Sequence, residues 1–259
     1  MKILNRFIYF GYYLSKIHLG FFCKQLNEAQ RKSGRKRLSI LFDLINASFK
    51  YNISIIEYFL FYFHLHSDSE HRASYAGTGF MYETILKMNP KDTRFILSDK
   101  LTFLKHYKEF VLHNHISIQD AEDNHELTQL FLKSNNKLVL KSADGQCGRG
   151  IEVRPSSDFT PESLLQRLRE TGNDFVEAFV TQHTDLMRLS PSGLNTIRII
   201  TQLDKNDQVH IIGTRLRITV NSAVDNLAAG NMAAPIDLET GKINGPGVYS
   251  DITKADEYQ

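Results

Sequence analysis

The apolar pattern of this chain changes its period near residue 91, and that change limits what the chain can fold into. Before it, apolar residues recur at helical spacing, first through Leu38, Ile40, Leu41, Leu44 and Ile45, then from Ile55 to Phe63. No proline occurs before Pro90 to break a helix. Residues 1–90 therefore read as mostly helical. The aromatic run IIEYFLFYFHLH, Ile55–His66, reads as a buried helix too short to span a membrane. Beyond residue 91, Ser98 or Asp99 can cap a helix through Phe103, Leu104, Tyr107 and Phe110, and another helix fits Leu127, Leu130 and Phe131. Strand signals then follow at Leu138–Lys141, Gly150–Val153, Phe175–Val180, Asn195–Thr201 and Val209–Thr219. Thr160 as N-cap, Pro161 in the first turn and Gly172 past the end mark one more helix. DKND, Asp204–Asp207, and LETG, Leu238–Gly241, read as turns between strands. The fold class is α+β: a helical N-terminal region, 1–90, then an α+β part with antiparallel strands, 91–259.

Length and charge narrow the function classes. The 259 residues suffice for one large domain or two modest ones. With 31 basic against 29 acidic residues, the net charge of +2 gives no global signal for nucleic acid or membrane. The run RKSGRKR, Arg31–Arg37, could be a nucleic-acid or acidic-lipid patch, but the near-neutral chain favours a solvated connection between two helices. Aromatic and basic residues are not interleaved on one expected surface, so nucleic acid is not an expected partner. Lys2, Arg6 and Lys16 interrupt the aromatic-rich N-terminus, which reaches neither the length of a membrane span nor the pattern of a signal peptide. Cys23 and Cys147 lie far apart with no metal-ligand spacing, which suits a reducing cytoplasm.

Chemistry-bearing residues concentrate after residue 98. KSADGQCGRGIEV, Lys141–Val153, places Gly145, Gly148 and Gly150 between two strand signals. Glycines let backbone N–H groups turn toward a phosphate, although the same spacing also makes a plain hairpin turn. It is neither a Walker loop nor a dinucleotide fingerprint, since no Gly-Lys-Ser/Thr follows and a strand succeeds it. Lys141 ends an apolar strand on the face of Val139, either exposed on an edge or held for an anion. Lys100 falls in the first turn of its expected helix, where the macrodipole disfavours a cation, and a nearby anion is one explanation. Glu177 interrupts the apolar run FVEAFV, on the face of Phe175 and Phe179. Arg198 lies among β-branched residues, and Arg215 and Arg217, two apart, point to one strand face where guanidinium forks suit a phosphate or carboxylate.

In this order, the residues resemble the ATP-grasp superfamily, nearest to its sugar-transfer-associated family, related to alpha-L-glutamate ligases and more distantly to D-alanine–D-alanine ligase. The resemblance runs over roughly residues 55–245. It is carried by EYFLFYFHLHSDSEHRASY, SDKLTF, LVLKSADGQCGRGIEV, FVEAFVTQH, LSPSGLNTIRIIT and VDNLAAGNMAAPIDLETG. It implies antiparallel sheets that clamp ATP, with a central subdomain at about 115–175 and a C-terminal subdomain at about 176–259. By resemblance, Lys100 contacts ATP phosphate, and Lys141 binds the α-phosphate and approaches the adenine. Ser142 and the loop through Gly145, Gly148 and Gly150 form a flap over the β- and γ-phosphates. Glu177 faces the adenine amine, Phe179 and Val180 form the hinge that bonds adenine through backbone, and Asp185 meets the ribose. Arg198, Arg215, Asn226 and Arg217 would face phosphate and substrate. The implied reaction phosphorylates a carboxylate and lets an amine or other nucleophile displace phosphate, in polysaccharide or cell-envelope modification.

The family pattern also includes Mg²⁺, held by a late aspartate and a Glu-x-Asn. No Glu-x-Asn follows Asn226, and Asp225, Asp237, Glu239, Asp251, Asp256 and Glu257 lack that spacing. The chain thus reads as C-terminally truncated, the last part of the C-terminal subdomain missing. The alternative expectation is a truncated, non-catalytic nucleotide-binding or scaffold protein.

Overall fold

Helical spacing in the first part of the chain buries one stripe per helix, and those stripes meet in a single aromatic core. The computed structural model describes residues 2–145 and 150–254. Helices α1 (Lys2–Ser15), α2 (Leu19–Ser33) and α3 (Arg37–Tyr51) precede the shorter α4 (Ile55–Leu60), α5 (Ser69–Ala73) and α6 (Thr78–Met88). Ile40, Leu44 and Ala47 of α3 pack with Ala29, Ile53, Tyr58, Phe59 and Phe63. Ser54 and Glu57 form a capping box that starts α4. The same Glu57 carboxylate accepts the N–H of Thr78 at 3.0 Å and its hydroxyl at 2.6 Å, tying the start of α6 to α4. Gly77 passes so close to Ile53 that a Cβ would lie 2.9 Å from its Cα.

The aromatic run forms a shorter helix than its periodicity suggests. It ends at Leu60, and Tyr62 takes a left-handed φ of 53° so that the chain doubles back. The reason is Arg72, only 4 % exposed. It donates Nη2 to the Phe63 carbonyl at 2.5 Å and Nε to the His66 carbonyl at 2.6 Å, satisfying backbone groups in the turn that follows the helix. It also grips both oxygens of Asp43 at 2.8 Å, while the Tyr58 hydroxyl and Arg35 reach the same carboxylate at 2.8 and 2.9 Å. The basic run joins α2 to α3, and its side chains are engaged: Arg31 with Glu28, Arg35 with Asp43, Arg37 with Gln30.

The strands form two antiparallel sheets. In the unit Pro90–Asn195, α7 (Lys100–His106) leads to β1 (His115–Ser117), α8 (Ile118–Asp123), α9 (His125–Ser134), β2 (Lys137–Lys141), β3 (Glu152–Pro155), α10 (Pro161–Thr171), β4 (Phe175–Ala178) and α11 (Thr184–Leu189). The sheet order is β1-β4-β2-β3. Leu138, Leu140 and Val176 turn one sheet face onto Phe131, Leu132, Leu164 and Leu168 of the helices. Thr160 caps α10, Pro161 opens it, and Gly172 closes it at φ 67°. Asp99 is the cap of α7, which stops at His106 instead of reaching Phe110. Strand β4 stops at Ala178, so Phe179 and Val180 lie beyond it.

The other unit joins Met1–Asn89 to Thr196–Gln259. Its sheet runs β5 (Thr196–Leu203), β6 (Val209–Ile218), β7 (Met232–Pro235), β8 (Val248–Tyr249) in that order. Asp207 takes φ 59° in the turn between β5 and β6. Periodicity missed the short β1, β7 and β8. After β8 the chain returns to the helices: Ile252 is 2 % exposed in their core, and Asp251 bonds Lys24 at 2.8 Å and Gln25 at 2.7 Å. Burial alone would raise the Asp251 carboxyl, but the hydrogen bonds, led by Lys24, hold it well below the usual carboxylate range. No described helix is long and apolar enough to cross a membrane.

The Asp43 network sets a pH signature. Burial would raise this carboxyl, yet hydrogen bonds from Arg72, Tyr58 and Arg35 outweigh it and bring the pKa down to about 2. The stabilisation is complete above the unfolded value of about 3.9 and is lost as pH falls toward 2, about 2 kcal/mol in all. In urea titrations, wild type loses this stability between pH 4 and 2 relative to Asp43→Asn; parallel curves for the two proteins would refute the network. Arg72→Met, which strands the buried carboxylate, costs about 3 kcal/mol or more at pH 7.

Candidate functional site

Antiparallel register builds the first cluster. Val139 lies opposite Glu177 and Lys141 opposite Phe175, so these side chains share the sheet face turned away from the helices. Lys141 and Glu177 are diagonal neighbours across β2 and β4, a gap that a lysine stem spans. Lys141 Nζ donates to Glu177 Oε1 in a close ion pair, with side-chain exposures of 24 % and 11 %. The other oxygen, Oε2, lies 3.1 Å from Nε2 of His113, just before β1. A buried carboxylate therefore fixes a lysine from one side and a histidine from the other. Sequence reading singled out Lys141 and Glu177. It missed His113, which sits outside any periodic element.

The glycine loop starts from this face under restraint. Lys100 Nζ donates to the carbonyls of Ser142 at 2.8 Å, Ala143 at 3.3 Å and Gly145 in a shorter contact. The backbone N–H of Lys100 adds a bond to the Ala143 carbonyl at 3.1 Å. A cation at a helix N-terminus is thus explained by loop carbonyls, and no bound anion is required. From the other side, Asp174 Oδ2 accepts the Ala143 N–H at 2.6 Å, and the Asp174 N–H returns to the Lys141 carbonyl at 2.9 Å. The loop resumes at Gly150 with φ 72°, a conformation that favours glycine. Gly148 and Cys147 lie outside the described residues.

Beyond β4, the Phe179 N–H donates to the Lys137 carbonyl at 3.0 Å. The Phe179 carbonyl and both backbone groups of Val180 have no hydrogen-bond partner among the described residues. A donor and two acceptors thus stand open two and three residues beyond Glu177. Asp185, in the first turn of α11, pairs with His183 and Arg188, and all three are exposed.

A second cluster stands on the β5–β6 sheet. Leu216 and Ile218 face Ala234 and Met232 inside, which turns Arg215 and Arg217 to the opposite face. Arg198 is the direct cross-strand partner of Arg215, and Thr196 that of Arg217. Arg217 Nη2 pairs with Asp225 Oδ1 at 2.7 Å, and the Thr196 hydroxyl donates to the other Asp225 oxygen. Arg198 and Arg215 have no carboxylate partner among the described residues. Like charges directly opposite are destabilising, so this pair holds an unneutralised field suited to an anion. Asn226 caps the turn Leu227–Ala229 through its side-chain oxygen at 3.1 Å. Asn231, fully buried, locks that loop by accepting the Val220 N–H at 2.7 Å and donating to the carbonyls of Val224 and Asn226 at 2.6 and 2.9 Å. Its signal in the sequence was only a polar residue inside the small-residue run LAAGNMAA.

Of the late acids, Asp225, Asp237 and Asp251 are engaged with protein groups, and Asp256 and Glu257 lie outside the described residues. Asp225 is held by Arg217 and Thr196, Asp251 by Lys24, Gln25 and Thr253, and Asp237 caps its turn through Thr240 and Glu239. Among the described residues, no group of three or more His, Cys, Asp or Glu side chains could hold a metal ion.

No curated protein matches the chain. The model of the family described as sugar-transfer associated ATP-grasp matches residues 80–256, which takes in both clusters. The α+β architecture with two four-stranded antiparallel sheets is that of an ATP-grasp protein. With most of its length inside that match, the chain belongs to the sugar-transfer associated ATP-grasp family.

Proposed function

We propose that the protein binds ATP on the Lys141–Glu177 face and uses it to activate a carboxylate for ligation. Family membership brings ATP binding as a general property and an ATP-dependent, ligase-like role associated with sugar transfer. The observation that carries the finer reading is the Lys141–Glu177–His113 array, flanked by a glycine loop clamped at its start and by the open backbone groups of Phe179 and Val180. In this reading the hinge pairs with the adenine edge, and Glu177 meets its amine. Lys141 and Lys100 serve the phosphates, with Ser142, Gly145, Gly148 and Gly150 as the flap. Asp185 serves the ribose.

The chemistry asks for positioning and charge neutralisation. A carboxylate oxygen attacks the γ-phosphorus, the bond to the ADP oxygen breaks, and an acyl phosphate forms. An amine or similar nucleophile then attacks the acyl carbon, and inorganic phosphate leaves. Arg198 and Arg215, with Asn226, are the groups assigned to the transferred phosphoryl and the carboxylate. The sugar-transfer association favours an acceptor in polysaccharide or cell-envelope modification, and ATP use favours the cytoplasm. A second reading, a nucleotide-binding or scaffold protein without turnover, is favoured by Asp225, Asp237 and Asp251, each engaged with protein groups rather than with one another.

Titration with a non-hydrolysable ATP analogue separates these readings. Wild type binds the analogue, and Lys141→Ala and Lys100→Ala each weaken binding at least about tenfold, the loss of one charge-assisted hydrogen bond. Wild-type affinity in both variants overturns the site, provided both melt as folded proteins. Mg²⁺-dependent release of ADP and phosphate supports the ligase, whereas binding indifferent to Mg²⁺ and without turnover supports the second reading.

The arginine pair makes a separate prediction. Arg198→Gln removes like-charge repulsion and raises stability by about 0.2–1 kcal/mol, while any ATP-dependent turnover falls. A variant that melts lower and keeps full turnover would exclude this role for Arg198.

A further inference from the structure

A cavity of about 430 Å³ opens in the helical region, walled by α3, α5 and the turn that follows α4. Its lining residues fall between Arg35 and Arg72, outside the family match at 80–256, and none belongs to the nucleotide site. The wall carries Arg35, Lys50 and Arg72 against a single carboxylate, Asp43, whose oxygens Arg72, Arg35 and Tyr58 already occupy. Two positive charges are left in excess. The Lys50 ammonium has no carboxylate partner among the described residues and rests over the Tyr51 ring, 5.1 Å from its centroid.

His64 is buried beside these groups. It lines the same cavity, is 2 % exposed, and neither ring nitrogen has a hydrogen-bond partner among the described residues. Buried polar groups of folded proteins are nearly always paired, and an unpaired one calls for an explanation. Tyr58 and Phe59 pack on the imidazole, their centroids 6.4 and 6.3 Å away. Burial, with the charges of Lys32 and Arg35, pushes its pKa down to about 4, so the ring is neutral near pH 7. Both ring nitrogens are shielded from solvent, so the imidazole backs the cavity wall and presents no donor to its interior. Beside it, the side chains of Asn46 and Ser67 line the cavity without a partner among the described residues. The volume falls in the range of about 300–1,000 Å³ typical of small-molecule sites.

We propose that this cavity binds a small phosphate ester of a polyhydroxy compound. Lys50 and Arg35 hold the phosphate dianion, and Asn46 and Ser67 meet the hydroxyls. A dianion matches the charge excess, and groups that both donate and accept match a polyol.

Calorimetric titration of the full chain with inorganic phosphate, glucose 6-phosphate and glucose tests this. Both phosphate-bearing probes bind saturably, glucose 6-phosphate more tightly, and glucose alone does not. Lys50→Met weakens binding at least tenfold and Ser67→Ala severalfold, with melting temperatures unchanged, while Lys141→Ala binds as wild type does. The proposal fails if neither phosphate-bearing probe binds, if glucose binds as tightly as its phosphate, or if both cavity variants keep wild-type affinity. Loss in Lys141→Ala but not in Lys50→Met assigns the phosphate to the nucleotide site and equally overturns it. Because the cavity shares no residue with the Lys141–Glu177 face, failure of either reading leaves the other standing.

Discussion

The grip of Arg72 on Asp43 is the interaction on which the helical region depends. One guanidinium with little access to water makes two bonds to a carboxylate on α3 and two to carbonyls in the turn that follows α4. Each bond is charge-assisted, and each removes a polar group that burial would otherwise leave unpaired. The consequence reaches well past the pair. Because the carbonyls of Phe63 and His66 have a partner, the chain can leave the helix at Leu60, turn through Tyr62 and bury Phe59 and Phe63 in the same core. The turn also carries His64 to the cavity wall, so the structural hub and the proposed phosphate site share Asp43, Arg35 and Arg72.

The sheet Pro90–Asn195 works on a related rule. Its helix-facing side packs Leu138, Leu140 and Val176 on the helices and pairs Glu152 with Arg167 of α10, while on the opposite face Glu177 holds Lys141 and His113. In the proposed nucleotide site, a lysine already paired would lose little side-chain freedom on meeting a phosphate, and a carboxylate already desolvated has a defined direction in which to accept. Lys100 and Asp174 do for the loop what Glu177 does for the lysine. They anchor Ser142–Gly145. On the second sheet the logic reverses: Arg198 and Arg215 are opposed without a counter-charge, a local cost tolerated where an anion would relieve it.

Much of this was legible locally. The α10 punctuation, Thr160, Pro161 and Gly172, reads directly because caps and breakers act on their own neighbours. The face shared by Arg215 and Arg217 follows from the period of a strand. Lys100 was visible as an electrostatic oddity, although its partners, the loop carbonyls, lie more than forty residues away in the chain. His113, Asp174 and Asn231 gave no usable signal, since each works from a loop or in a bond to a distant segment. The short β1, β7 and β8 are strands because neighbours offer hydrogen bonds, and two to four residues carry too little periodicity to announce it.

By itself the amino-acid sequence determined the helical start, the α+β remainder, the hairpin turns and the order of motifs that resembles the ATP-grasp family, all properties of spacing along the chain. Tertiary structure alone decided where the aromatic helix stops, which carboxylate Lys141 meets, what Lys100 holds, and that Ile252 returns to the helical core beside Asp251. The division has a physical cause. Caps, turns and amphipathic faces are set by residues within a few positions of each other. The partner of a buried charge is chosen by desolvation among whatever groups the packed fold brings within reach.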